Sequence, residues 1–132
     1  VIAMLSYSNF GSSSHPMANK VEDAVKFLRR SHPNMIVDGP IQSDFALNKL
    51  MLTNKFEESK LGNQKVNILV FPNLDSANIT YKVIKEIDGA KSIGPIIMGL
   101  DKAVHILQLK PSVEEIVNMS AIAVIDAQSR NQ

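Results

Sequence analysis

The stretch with the clearest potential for chemistry is a polar loop near the start of the chain, Ser6–Ser14, with the sequence SYSNFGSSS. It follows an apolar segment typical of a buried strand and precedes Pro16, which suits the first turn of a helix. Free backbone N–H groups and the helix dipole at such a junction favour a bound anion. The alternative is an ordinary strand-to-helix turn with serine caps, because the loop matches neither a P-loop nor a GxGxxG fingerprint.

A second polar junction, Asn73–Asn78, follows the apolar segment VNILVFP. Three of its side chains can hydrogen-bond a ligand, or they can cap the helix that follows. In an open parallel sheet, ligands bind outside the carboxyl ends of the strands, where both junctions are expected. The three histidines, His15, His32 and His105, lie in different elements without the spacing of metal ligands, and no GxSxG nucleophile motif is present.

Apolar segments and helical patterns alternate along the chain, which predicts an α/β fold. The predicted strands are Val1–Tyr7, Met35–Val37, Val66–Phe71, Ser92–Leu100 and Val104–Leu109. They are short and apolar on both faces, as expected when helices cover both sides of a parallel sheet. We therefore predict a three-layer α/β/α architecture with a mainly parallel sheet.

Local signals also bound the predicted helices. The caps and breakers are, in chain order, Pro16 and His32, Asp38-Gly39-Pro40 after the second strand, Ser43, Asp75 or Ser76, and Ser112 with Glu115 in a capping box. Helical spacing predicts a buried face on the third helix from Ile79, Val83, Ile84 and Ile87. The same spacing predicts a broad buried face on the last helix from Val113, Ile116, Val117, Ser120, Ala121 and Val124.

Composition excludes several classes of protein. The 132 residues are 45% hydrophobic and 20% charged with a net charge of +1, which is too balanced for a general nucleic-acid or membrane-surface binder. No apolar run approaches the ~18 residues of a transmembrane helix, and the absence of cysteine excludes disulfides and thiolate chemistry. The chain is compatible with a cytoplasmic location. It begins at Val1 inside an apolar run, which we interpret as a fragment of a longer polypeptide.

Five segments together resemble the phosphate acetyl/butyryltransferase family. They are LSYSNFGS (Leu5–Ser12), VDGPIQSD (Val37–Asp44), VNILVFPNLDSANITYK (Val66–Lys82), IGPIIMGLDKAVHILQL (Ile93–Leu109) and EEIVNMSAIAVIDAQ (Glu114–Gln128). HILQL and NMSAIAVIDAQ look most like one subgroup, the carboxyl-terminal transacetylase-like domain of bacterial NADP-dependent malic enzymes. The resemblance implies a two-lobed α/β/α fold similar in architecture to isocitrate dehydrogenase. Residues 1–97 would form most of the second lobe, and residues 98–132 would return toward the first.

The chain departs from the family at positions that carry catalysis. The resemblance implies a Ser-Arg pair before the last helix, where this chain has Gln108 and Leu109. A further arginine of active members corresponds to Glu86, and only the carboxylate at the start of the last helix remains, as Glu115. Aliphatic and acidic side chains cannot replace arginines that hold a phosphate. These departures predict a domain without transferase catalysis.

The resemblance then implies a regulatory domain that senses acetyl-CoA or a related CoA ester, within a homo-oligomeric enzyme. The expected ligand-binding residues are Ser6, Tyr7, Ser8, Asn9, Ser12, Ser13, Asp75, Asn78, Tyr81 and Lys82. No cofactor is expected in this fragment. NADP, a divalent metal (Mg or Mn) and the malic enzyme catalytic domain would belong to the preceding polypeptide. Two alternatives remain open: an active phosphate acetyltransferase fragment, and an oligomerisation module that binds nothing.

Overall fold

The computed structural model describes residues 1–62 and 64–130. Its elements are β1 (Ile2–Leu5), α1 (Pro16–Ser31), β2 (Val37–Ile41), α2 (Ser43–Leu47), α3 (Lys49–Lys55), β3 (Ile68–Val70), α4 (Leu74–Asp88) and α5 (Val113–Ser129). The chain divides into two compact units, one over Val1–Val83 and one from Ile84 onward. No helix among the described residues is long and apolar enough to cross a membrane.

The first unit is built around a parallel sheet with the strand order β2-β1-β3. Because successive side chains of a strand point to opposite faces, β1 serves two cores. Its Met4 packs with α1, whereas its Ala3 and Leu5 pack with α2 and α3. The prediction of an α/β fold with a parallel sheet and helices on both faces is confirmed.

The second strand was predicted at the wrong place. It covers Val37–Ile41, so the Asp38-Gly39-Pro40 sequence lies inside the strand instead of ending it. Glycine is required at this point, because a Cβ on Gly39 would lie 2.4 Å from the carbonyl oxygen of Met4 in β1. A proline is tolerated because β2 is an edge strand, which has backbone groups outside the ladder.

The first helix begins and ends as predicted, with Pro16 in its first turn and a C-cap at His32. Two predicted caps are wrong. Ser43 lies inside α2, whose N-cap residue is Gln42. At α4, Asn73 acts as the cap, because its Oδ1 accepts a hydrogen bond from the backbone N–H of Ser76 at 2.8 Å.

The second unit departs most from expectation. Ser92–Leu100 and Val104–Leu109 have no regular secondary structure, so the prediction of two strands there is wrong. The predicted core faces of α4 and α5 are also wrong: Ile87 is 82% exposed and Val113 78%, and Met119 is the buried apolar residue of α5. A strand needs a paired neighbour and an apolar face needs a covering element, and the described residues supply neither here.

Candidate functional site

The sheet topology of the first unit has a switch point between β1 and β3. The chain passes from β1 to β2 on one side and then to β3 on the other side of β1. At such a reversal, ligands bind outside the carboxyl ends of the strands. The Ser6–Ser14 loop leaves β1 there and the Asn73–Asn78 junction leaves β3 there. Lys20 of α1 contacts the residue before the second junction: its Nζ donates a hydrogen bond to the carbonyl oxygen of Pro72 at 3.0 Å.

The serine loop is folded by hydrogen bonds among its own side chains. The hydroxyls of Ser8 and Ser12 lie 2.9 Å apart, and the backbone N–H of Asn9 donates to Ser12 Oγ at 3.0 Å. The Tyr7 hydroxyl lies 3.1 Å from Ser13 Oγ. Ser8 is buried, with 1% of its surface exposed. These contacts give the loop one shape before any ligand arrives, and each hydroxyl keeps the capacity for a further hydrogen bond.

Two residues outside the predicted ligand-binding set also hold this loop. Gln42, at the end of β2, donates its backbone N–H to Asn9 Oδ1 at 2.8 Å and its side-chain amide to the carbonyl oxygen of Tyr7 at 2.6 Å. His15 caps α1, because its Nδ1 accepts the N–H of Met17 at 3.3 Å. The Gln42 contact joins residues 33 positions apart, so no local pattern could reveal it.

Hydrogen bonds within the protein weaken the prediction that the loop binds an anion through free backbone N–H groups. The backbone N–H groups of residues 8, 9, 10, 12, 15 and 17 all have acceptors within the protein. Gly11 forms the open side of the loop, where a Cβ would meet nothing within 4 Å. The loop therefore presents exposed hydroxyls beside an accessible backbone, and more than half of its own N–H groups are already bonded within the protein.

The second junction presents exposed polar side chains along α4. Asp75, Asn78 and Lys82 follow the i, i+3, i+7 spacing of one helix face and are all exposed. Tyr81 lies one position before Lys82 and is 39% exposed. Among residues 1–62 and 64–130, no hydrogen bond or ion pair links Asp75, Asn78 or Lys82 to the serine loop. Their share in a binding site remains a prediction.

The second unit contains a separate small cleft. It is lined by Ser92, Ile93, Gly94, Leu107, Gln108, Pro111, Glu115, Asn118 and Met119. The cleft brings together Gln108 and Glu115, two of the positions identified from the family resemblance. Leu109 is 98% exposed, and Glu86 is exposed on α4 and does not line the cleft. Lys85, next to Glu86, lines an adjoining groove together with Glu115.

The carboxylate of Glu115 is part of the capping box at the start of α5. Its Oε2 accepts the backbone N–H of Ser112 at 2.7 Å, and its own N–H donates to Ser112 Oγ at 3.2 Å, which confirms the predicted capping box. Hydrogen bonding by the backbone and the side chain of Ser112 lowers the pKa of the Glu115 carboxyl, and the charge of Lys85 lowers it further. A carboxylate held in this way is a weak base. Among the described residues, no group of three or more His, Cys, Asp or Glu could hold a metal ion.

Comparison with known proteins connects both units to one family. The model of the phosphate acetyl/butaryl transferase family matches residues 1–124. The NADP-dependent malic enzyme of Escherichia coli K12 is 38% identical over 130 residues, which are 98% of this chain and 17% of that protein. The phosphate acetyltransferase of Clostridium acetobutylicum is 39% identical over 127 residues, which are 96% of this chain and 38% of that protein.

The fold agrees with this similarity. A phosphotransacetylase from Streptococcus pyogenes superposes with a TM-score of 0.86 at 34% identity, over 99% of this chain and 39% of that one. The chain thus spans about a sixth of its malic enzyme relatives and about two-fifths of its phosphate acetyltransferase relatives. The match over 124 of 132 residues establishes that the chain belongs to the phosphate acetyl/butyryl transferase family.

Proposed function

We propose that this chain is the carboxyl-terminal regulatory region of an NADP-dependent malic enzyme and senses acetyl-CoA or a related CoA ester. The observation that carries the proposed site is the serine loop of the first unit, which presents exposed hydroxyls beside the open backbone at Gly11. The cleft of the second unit, which presents Gln108 and a Glu115 engaged in a capping box, argues against transfer chemistry. Malic enzymes from three bacteria are 36% to 38% identical over almost the whole chain. In this proposal the chain has the fold of a transferase but does not catalyse acyl transfer.

The residues of the cleft do not suit acyl transfer. Gln108 can donate and accept hydrogen bonds but cannot take a proton from a thiol. The lowered pKa of Glu115 makes that carboxylate a poor general base.

The rest of the enzyme would lie in the preceding part of the polypeptide. NADP, a divalent Mg or Mn ion and the residues that oxidise and decarboxylate malate to pyruvate are assigned there by this proposal. The exposed apolar side chains of α4 and α5 are consistent with a further covering surface, from that part of the polypeptide or from a second copy in a homo-oligomer.

The similarity to phosphate acetyltransferases supports a second candidate function. If the chain belongs to an active transferase, the complete polypeptide should form acetyl-CoA from acetyl phosphate and CoA, and Glu115→Ala should abolish that activity. We expect no transfer, because no arginine lines the cleft among the described residues. Transfer that depends on Glu115 would replace the regulatory proposal with the transferase one.

Calorimetric titration of acetyl-CoA into the complete polypeptide tests the sensor proposal. Saturable binding in the micromolar range, about −8 kcal/mol, is the expected result. Acetyl-CoA should then change malate-dependent NADP reduction in the same preparation. The absence of binding would overturn the sensor and favour an oligomerisation module, whose sedimentation would not respond to acetyl-CoA.

A matched pair of glycine variants tests the position of the site. Gly11 and Gly99 have the same φ of +84°, and a Cβ on either would meet nothing within 4 Å. Gly11→Asp and Gly99→Asp therefore add the same charge and the same backbone strain at different places. We expect Gly11→Asp to weaken acetyl-CoA binding at least tenfold, about 1.4 kcal/mol, and Gly99→Asp to leave it unchanged. Equal affinities would remove the serine loop from the site.

A further inference from the structure

One side chain of the first unit reaches from α1 to the exit of β3. Lys20 lies in the second turn of α1, and its Nζ donates a hydrogen bond to the carbonyl oxygen of Pro72 at 3.0 Å, across 52 positions of the sequence. Pro72 follows β3 and directly precedes the Asn73–Asn78 junction. The preceding residue of α1, Asn19, donates its side-chain amide to the carbonyl oxygen of Ser14 at 3.1 Å, at the end of the serine loop. The ammonium group of Lys20 is therefore anchored at the switch point, where both polar junctions leave the sheet.

The charge of this lysine is not balanced by a carboxylate. Lys20 is exposed and forms no ion pair within the described part of the chain, whereas Lys26 of the same helix pairs with Glu22. Asp75, in the first turn of α4, is also without an ion pair among those residues. The first turn of α1 has no acidic residue that would offset the positive end of the helix dipole. Since an ammonium group has three N–H donors and Pro72 takes one, Lys20 offers a positive charge and two further donors to a ligand.

The ligand of the proposed function needs a cation that the serine loop does not contain. A CoA ester carries phosphate groups, and taking a charged group out of water without a partner costs free energy. Residues 6–14 include no charged side chain. The next residue, His15, uses its Nδ1 to accept the N–H of Met17. The cation has to come from a neighbouring element, and a lysine ammonium is a common partner of phosphate.

We propose that Lys20 binds a phosphate group of the CoA ester and makes the site selective for ligands that carry phosphate. The proposal rests on the proposed sensing of acetyl-CoA and adds the residue that recognises its negative charge. The hydrogen bond to Pro72 orients the long side chain before the ligand binds, so less side-chain freedom is lost on binding. The serine loop then supplies hydrogen bonds to the ligand, and Lys20 supplies the charge.

Calorimetric titration of two ligands into the complete polypeptide tests this role. Acetyl-CoA carries the phosphates, whereas acetylpantetheine has the same thioester arm without them. Lys20→Met removes the charge and keeps most of the length of the side chain. We expect Lys20→Met to weaken acetyl-CoA binding about tenfold, or about 1.4 kcal/mol, and to leave acetylpantetheine binding unchanged.

Salt and two further variants separate a contact between charges from a structural one. Because dissolved ions screen an exposed charge, the difference between wild type and Lys20→Met should shrink from about tenfold at about 0.05 M salt to less than about threefold at about 0.5 M. Lys20→Arg keeps a positive charge and N–H donors, and it should bind acetyl-CoA within about threefold of the wild type. Lys26→Met, which removes an exposed lysine of the same helix, should bind both ligands like the wild type.

The outcomes distinguish a failure of Lys20 from a failure of the proposed function. If the wild type does not bind acetyl-CoA, the sensor proposal fails and the role of Lys20 fails with it. If the wild type binds acetyl-CoA and Lys20→Met binds it equally well, the sensor proposal stands and the role of Lys20 is overturned. A loss that is equal for acetyl-CoA and acetylpantetheine, or that persists unchanged at high salt, would also overturn it, because the hydrogen bond to Pro72 would then only hold the fold.

Discussion

The contact between Gly39 and β1 offers the sharpest test of the fold. A Cβ on Gly39 would lie 2.4 Å from the carbonyl oxygen of Met4 and 3.0 Å from its Cβ, and the φ of Gly39 is +141°. Ordinary contact begins at 3.4 Å, so the Gly39→Ala variant must separate the two backbones by about 1 Å. Adjacent strands lie only about 4.8 Å apart, so this shift disrupts the neighbouring ladder.

Two contributions determine the size of the effect. Overpacking in a filled core costs about 1–3 kcal/mol, and the positive φ adds about 1–2 kcal/mol for a residue with a side chain. We therefore expect Gly39→Ala to lower the free energy of unfolding by about 2–5 kcal/mol. Domains of this size are stable by only about 5–15 kcal/mol, so the variant should approach the limit of folding.

Gly11→Ala is the matched control, because Gly11 also has a positive φ, +84°, but has nothing within 4 Å of the added carbon. It should lose only about 1–2 kcal/mol from backbone strain. Urea unfolding followed by circular dichroism measures both variants against the wild type. If the two alanine variants lose the same stability to within about 1 kcal/mol, the close approach of β2 to β1 is refuted.

Three more predictions concern hydrogen-bonded side chains: two carboxylates and one serine hydroxyl. Asp38→Asn should cost about 2–3 kcal/mol in urea unfolding, since the buried carboxylate accepts from Arg29 and from the backbone of residues 39 and 60; the exposed Asp44→Asn serves as control and should change little. Ser112→Ala should cost about 1 kcal/mol by removing the cap of α5, seen as lower helicity in circular dichroism. Because the pKa of Glu115 is lowered in the folded chain, its contribution is present above the unfolded pKa, near 4.3, and is lost as pH falls through the folded pKa. The stability difference between wild type and Glu115→Gln should therefore shrink below about pH 4; a constant difference would contradict it.

Local signals predicted much of the framework. Pro16 marks the start of α1, and Ser112 with Glu115 marks the start of α5, because the hydrogen bonds that cap a helix join residues three positions apart or fewer. The apolar runs located β1 and β3, and with them the ends of the two strands from which the serine loop and the second junction leave. The sequence alone also showed that positions 108 and 109 hold glutamine and leucine, where the family resemblance implies serine and arginine.

Contacts between distant residues were decided only by the tertiary structure. The extent of β2 depends on its pairing with β1, and Gln42 holds the serine loop across 33 positions. The apolar segments before α5 are not strands, because a strand forms only with a partner for its ladder. His105 faces Asp126 across 21 positions, and its burial follows from that packing. A helix cap is fixed by its neighbours in sequence, whereas burial and pairing are fixed by whichever elements the chain brings together.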